Sequence, residues 1–286
     1  MDPLEELIRA QPGLSLLLAA LGLVVGSFLN VVIHRLPKIM EAQWARDCAE
    51  YRDESLPSEE PLALAYPGSQ CPHCNTKIKP WQNIPVVSYL VLHGRCASCE
   101  ASISIRYPLV EIITALIWVI CGLSFGVSNA LAGALLLTAV LVTLTAIDLD
   151  HQLLPDSLTL PLLWIGLLLN MMGTFTSLES ALLGAVFGYL SLWSVYWLFK
   201  IVTSKEGMGY GDFKLLAALG AWFGLAALPT IVLLSSLVGA TLGLTLILTG
   251  KQSRETPMPF GPFLAGAGLI HLLYPNALFG SITGGI

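Results

Sequence analysis

Gly207-Met208-Gly209-Tyr210-Gly211-Asp212-Phe213-Lys214 sets a carboxylate between glycines and an apolar run. That run, Phe213 to Leu228, is almost wholly apolar apart from Lys214, and it reads as a membrane helix with a charge at its mouth. Charge within hydrocarbon costs roughly 2.5–3.5 kcal/mol on insertion scales and is usually kept for function. Capping is one role, because Asp is a favoured N-cap whose oxygens accept free N–H groups of the first turn. Catalysis is the other, with Gly209 and Gly211 permitting a tight turn or the close approach of a substrate backbone. The residue types alone leave both open.

A second acidic position bears on the choice. The apolar run Leu131 to Ile147 ends at Asp148 and is followed by Leu149-Asp150-His151-Gln152-Leu153-Leu154-Pro155-Asp156. If Asp148 and Asp212 lie at one membrane face, they can form a carboxylate pair of the aspartic-protease kind. Topology supports that. The chain has 286 residues, 55% of them hydrophobic and 12% charged, with a mean hydropathy of +0.74, the composition of a polytopic membrane protein. Spans of about 20 apolar residues fall roughly at 13–33, 108–125, 130–147, 157–173, 179–199, 213–228, 229–249 and 262–280. The expected fold is therefore all-α and polytopic, with about eight transmembrane helices.

Lysine and arginine set the orientation. Arg35, Lys38, Arg46, Arg52, Lys77, Lys79, Arg95 and Arg106 fall in the first long loop, Lys200, Lys205 and Lys214 after the fifth span, and Lys251 and Arg254 after the seventh. An eight-span path puts all of them on one side and leaves Arg9 on the other, and the positive-inside rule makes the richer side the cytoplasm. Asp148 follows the third span and Asp212 precedes the sixth, so both carboxylates are expected at the cytoplasmic face. The net charge of −5 comes largely from acidic residues between Glu41 and Glu60, and no basic stripe argues for nucleic acid. The first apolar segment, too long for a typical signal-peptide core, reads as a retained span.

The loop from about 34 to 107 is large enough to be a separate unit. Cys71-Pro72-His73-Cys74 and Cys96-Ala97-Ser98-Cys99 form two Cys-x-x-Cys knuckles with 21 residues between them. Paired knuckles at this spacing point to a tetrahedral zinc site of four thiolates, structural because no coordination position stays open. A disulfide pair or redox-active thiols are the competing readings, and cytoplasmic placement argues against stable disulfides. The apolar stretch Ile84 to Leu92 between the knuckles cannot build a core alone in so small a module, so zinc should support its fold.

Other features divide between structure and function. Gly22 and Gly26 read as close helix packing, and Asn30 and His34, four residues apart, share one helix face. Glu111, one turn inside the second span, is expected to face the protein interior beside a Lys or Arg. Asp156 or Ser157 reads as a helix cap after Pro155, and Pro257-Met258-Pro259-Phe260-Gly261-Pro262 as a loop before the last span.

Taken together, Gly26-Ser27-Phe28-Leu29-Asn30, the two knuckles, Arg106-Tyr107-Pro108-Leu109-Val110-Glu111, Asp148 with Leu154-Pro155, and Gly209-Tyr210-Gly211-Asp212 resemble the bacterial type IV prepilin peptidases over nearly the whole chain. Asp148 and Asp212 match that family's catalytic pair. The resemblance implies an inner-membrane aspartic peptidase that removes the basic leader of type IV prepilins and of pilin-like type II secretion proteins. It also implies N-methylation of the new terminus with S-adenosylmethionine as donor. No glycine fingerprint of a Rossmann-like domain accompanies that second activity, so it rests on the resemblance, and no residue is assigned to the donor. The division expected is 1–33 for the lead and first helix, 34–107 for a cytoplasmic zinc-knuckle domain and 108–286 for a transmembrane peptidase core. Two other classes compete: a transporter or channel with intramembrane carboxylates, and a scaffold whose zinc loop recruits pilus or secretion components.

Overall fold

In the computed structural model the chain is all-helical, and among the described residues its only β pairing is two isolated bridges, Gln70 with Lys77 and Arg95 with Ser102. The structure describes residues 12–54, 63–205, 207–250 and 258–275. The N-terminal lead with Arg9, and Lys251 and Arg254, on which part of the expected orientation rests, lie outside them. Contacts divide the chain into two units, Met1–Gly126 and Val127–Ile286.

In the first unit, helix α1 (Pro12–Tyr51) runs for 40 residues, well past the end of the expected span at residue 33. Its extension, His34 to Tyr51, holds no glycine and is rich in Ala, Glu and Arg, so nothing but Pro37 interrupts it. At 1.5 Å per residue it is about 60 Å long, roughly twice the hydrocarbon thickness. A 3₁₀ turn (Pro80–Asn83) and a short helix α2 (Val87–Val91) lie between the knuckles, and α3 (Arg106–Phe125) returns against α1. The contact is backbone-close. A Cβ added at Gly22 would stand 2.6 Å from Ala115 Cα, and one at Gly26 would stand 2.7 Å from Glu111 Cα. The small-residue reading of Gly22 and Gly26 holds.

The second unit contains α4 (Asn129–His151), α5 (Asp156–Met171), α6 (Leu178–Thr203), α7 (Tyr210–Phe223), α8 (Leu228–Leu248) and α9 (Gly261–Leu273). Helix α7 is its core: every residue from Leu215 to Trp222 is buried. Gly184 of α6 and Gly220 of α7 bring their backbones into direct contact, and a Cβ at Gly188 would stand 2.8 Å from Leu216 O. Trp222 donates its indole N–H to Leu162 O of α5 at 2.8 Å. Gly224, at φ +83°, ends α7 five residues short of the expected span. The carbonyls freed there are met by Asn170, whose Nδ2 donates to Ala221 O and Trp222 O at 2.9 Å each.

Among the described residues each of the eight apolar runs overlaps a helix, the last as far as Leu273. Among the described residues five helices suffice by length and composition to cross a bilayer: Pro12–Tyr51, Arg106–Phe125, Asn129–His151, Leu178–Thr203 and Leu225–Leu248. The count of eight therefore turns on shorter helices such as α5 and α9, whose 16 and 13 residues fall below the usual spanning length.

Candidate active site and metal centre

Asp148 lies in the last turn of α4, and Asp212 is the third residue of α7. Both are buried, 5% and 7% exposed. Asp212 is not the N-cap. Gly209 holds that position with extended backbone and no side-chain cap, so the Asp212 carboxylate points on from within the first turn and interacts with the Gly209 amide. Asp148 Oδ2 accepts the Gly261 N–H at 2.9 Å, and Gly261 is the first residue of α9. Each carboxylate thus meets a helix N-terminus, where free N–H groups and the dipole favour negative charge.

One side chain ties the two together. Leu154, in the turn after α4, packs on Gly211 and Gly261 at once: an added Cβ would stand 2.7 Å from Leu154 Cβ at Gly211 and 3.0 Å from Leu154 Cδ2 at Gly261. The residues beside the two carboxylates share one buried apolar contact, and the Asp148 charge acts on Asp212. Beside Gly209 the space is open, with only Asp212 Oδ2 at 3.8 Å and Gly211 N at 4.0 Å. Asp156 is in the first turn of α5 behind Pro155, and Lys214 Nζ donates to both its oxygens at 2.6 and 2.7 Å. This ion pair places α5 against the start of α7. A cluster of Tyr196, Tyr210 and Phe213, with ring centroids 5.3–5.7 Å apart, lines the same turn.

In the first unit the sulfurs of Cys71, Cys74, Cys96 and Cys99 all lie within 4.8 Å of one another. Cys71 and Cys99 are 3.8 Å apart, close to the edge, roughly 3.8 Å, of a tetrahedron with 2.3 Å zinc–sulfur bonds. The second knuckle repeats the first residue for residue. Cys71 N–H donates to Thr76 O and Asn75 N–H to Cys71 O, while Cys96 N–H donates to Ala101 O and Glu100 N–H to Cys96 O. Asn75 and Glu100 take the same positive φ, 56° and 58°. The Cys74 thiol donates to the Thr76 hydroxyl at 3.3 Å, and its contacts with that hydroxyl and the Thr76 amide hold it down to about 6; Cys99, despite the Ala101 amide, is pushed up to about 12 by burial and the other sulfurs, and amides of Ser98 and Cys99 lower Cys96. Such donors favour the thiolate, the form that binds metal.

A family model described as Bacterial Peptidase A24 N-terminal domain matches residues 20–125, and one described as Type IV leader peptidase family matches residues 135–244. The chain is 55% identical over 278 residues to a prepilin leader peptidase/N-methyltransferase of Pseudomonas aeruginosa, covering 96% of each. The chain belongs to the type IV leader peptidase family. A relative of the same description from Aeromonas hydrophila is 55% identical over 97% of both chains. One from Burkholderia pseudomallei is 48% identical over 97% of this chain and 91% of its own. No solved structure matches.

Within this leader peptidase family member, the contacts that Gly261, Leu154 and the Lys214–Asp156 pair make around Asp148 and Asp212 have little local sequence signal. Gly261 was read as loop, although Pro262 just inside the helix marks a start. Leu154 carried no signal beyond its place beside Pro155, and the Lys214–Asp156 pair joins residues 58 apart in sequence. Glu111 also departs from expectation. Its partners are the Val86 N–H, donating to Oε2 at 2.7 Å, and the Ser27 hydroxyl. Neither is a Lys or Arg.

Proposed function

We propose that this protein removes the leader peptide from type IV prepilins and N-methylates the new terminus, with Asp148 and Asp212 as the catalytic pair of the cleavage. The observation that carries this reading is the burial of both carboxylates about one shared contact, each against a helix N-terminus. One carboxylate takes a proton from water as it attacks the scissile carbonyl; the other donates to that carbonyl and then to the leaving amine. Gly209, with open space beside it, lets an extended peptide approach, whereas the missing side chain of Gly211 admits Leu154. Pilin-like precursors of type II secretion belong to the same substrate class, a basic leader followed by an apolar helix.

The four cysteines form a structural zinc site, supported by the tetrahedral sulfur spacing, within a knuckle domain spanning 34–107. S-adenosylmethionine, when bound, supplies the methyl group. The protein resides in the bacterial inner membrane, with the knuckles and the Asp pair toward the cytoplasm, as the distribution of Lys and Arg suggests.

The test is intact-mass analysis of a purified prepilin incubated with the protein in lipid, with and without S-adenosylmethionine, beside Asp148→Ala and Asp212→Ala. Expected are loss of the leader in wild type only and one further methyl mass with the donor. Normal cleavage by either variant overturns the assignment.

A further inference from the structure

The first unit holds a cavity of about 570 Å³ that cleavage by Asp148 and Asp212 does not use. Its size is that of a small-molecule site. Its walls come from α1, the start of α3 and the knuckle module, and Ser27, Asn30 and Glu111 all line it.

Glu111 is 7% exposed. Its carboxylate has two neutral partners, the Val86 amide and the Ser27 hydroxyl, and among the described residues no cation. A buried carboxylate without a counter-charge is expensive unless something pairs with it. The Val86 contact is itself held by an unusual backbone. Val86 sits at φ +60°, ψ −47°, and the Val87 N–H donates to Pro85 O at 2.5 Å, a γ-turn that a β-branched residue seldom adopts. Strain of this kind persists where the surroundings require it and points to function. Asn30, also buried, donates Nδ2 to Tyr107 O at 3.0 Å, with Oδ1 its remaining acceptor. At the other extreme the exposed Lys38 and Lys77 line the same cavity. Acceptors at depth and cations at the surface match a small zwitterion whose positive centre enters first and whose carboxylate stays outermost.

We infer that this cavity seats the methyl donor, S-adenosylmethionine, with Glu111 facing its sulfonium and Lys38 and Lys77 meeting its carboxylate. The inference rests on the methyl-transfer half of the proposed function, and it adds the place and the residues. A second cation, the amine of the cleaved pilin, shares the chemistry that Glu111 offers, and the test separates the two.

The protein in lipid is titrated by calorimetry with S-adenosylmethionine and with S-adenosylhomocysteine, whose sulfur is neutral, for wild type, Glu111→Gln and Val31→Trp. Val31 lines the cavity, and the indole fills it without altering charge. Zinc content reports that each variant keeps its fold. Removing the charged partner should weaken S-adenosylmethionine binding about 10- to 100-fold in Glu111→Gln, with a much smaller change for S-adenosylhomocysteine. Val31→Trp should weaken both alike. Unchanged donor affinity in Glu111→Gln, or equal loss for the two ligands, overturns the inference. If Glu111→Gln fails to load zinc, Val31→Trp decides, and retained affinity there overturns it. Unchanged donor affinity with a raised KM for prepilin assigns the cavity to the pilin amine and also overturns it. A wild type that methylates prepilin while both variants bind donor normally leaves methyl transfer standing without this site. A wild type that cleaves but neither methylates nor binds donor removes the methyl-transfer reading itself.

Discussion

At Gly261 the absence of a side chain decides what Asp148 touches. A methyl group there would stand 2.6 Å from Asp148 Oδ2 and 3.0 Å from Leu154 Cδ2, so the carboxylate would move and lose its 2.9 Å N–H partner. Displacing a catalytic group by about 1 Å costs on the order of 100-fold. Gly261→Ala should therefore lower kcat for prepilin cleavage by about that factor. Gly266→Ala, in the same helix with nothing within 4 Å of the added Cβ, should leave kcat unchanged. Asp148→Asn and Asp212→Asn test the pair directly. Each keeps the shape and removes an acid or base, so each should cut cleavage by at least roughly 10²–10⁴-fold, read as leader loss by mass, without loss of zinc. The carboxylates were legible in sequence because a charge at the end of an apolar run needs a reason. Gly261 and Leu154 were not, because a hydrogen bond across 113 residues and an apolar contact leave no local pattern.

Among the elements, the closest packing is carried by glycines that face backbone. Gly26 stands against Glu111 Cα and Gly22 against Ala115 Cα, fixing α3 on α1, while Gly184 and Gly220 do the same for α6 and α7. Forcing extra volume into such a contact costs about 1–3 kcal/mol or more, because neither backbone can turn aside. Gly22→Leu and Gly184→Leu should each lower the midpoint of unfolding in denaturing detergent. Gly13→Leu, with open space around it, should leave the midpoint within error, and equal shifts for all three would remove the packing account. The Gly22/Gly26 contact was readable from its spacing in an apolar run. Helix limits were less so. The extension of α1 to Tyr51 lies beyond the hydrophobic stretch that hydropathy follows, and the end of α7 at Phe223 depends on Gly224 and on Asn170, which reaches its carbonyls from α5.

At the scale of the whole molecule, the two proposed sites belong to different compact units, the knuckles and the cavity to the first and the Asp pair to the second. The knuckle module has little else to hold it. Between residues 80 and 92 it contains one 3₁₀ turn and a five-residue helix with no buried residue, too small a core to stand unaided. With zinc in the proposed site, metal binding would supply much of its folding free energy. Stripping zinc with a chelator should open the segment from about residue 67 to 104 to limited proteolysis, and donor binding should fall with it, because Cys71, Cys96 and several residues between them, among them Gln82, Val86 and Tyr89, line the cavity. Adding zinc back should restore both. Asp148→Asn, whose change lies in the other unit, should keep zinc, protease resistance and donor binding while losing cleavage. A protein built only as a scaffold has the reverse dependence, since it tolerates loss of Asp148 and not of the cysteines. Protease resistance that survives removal of the metal would mean that the thiols hold the module by packing alone.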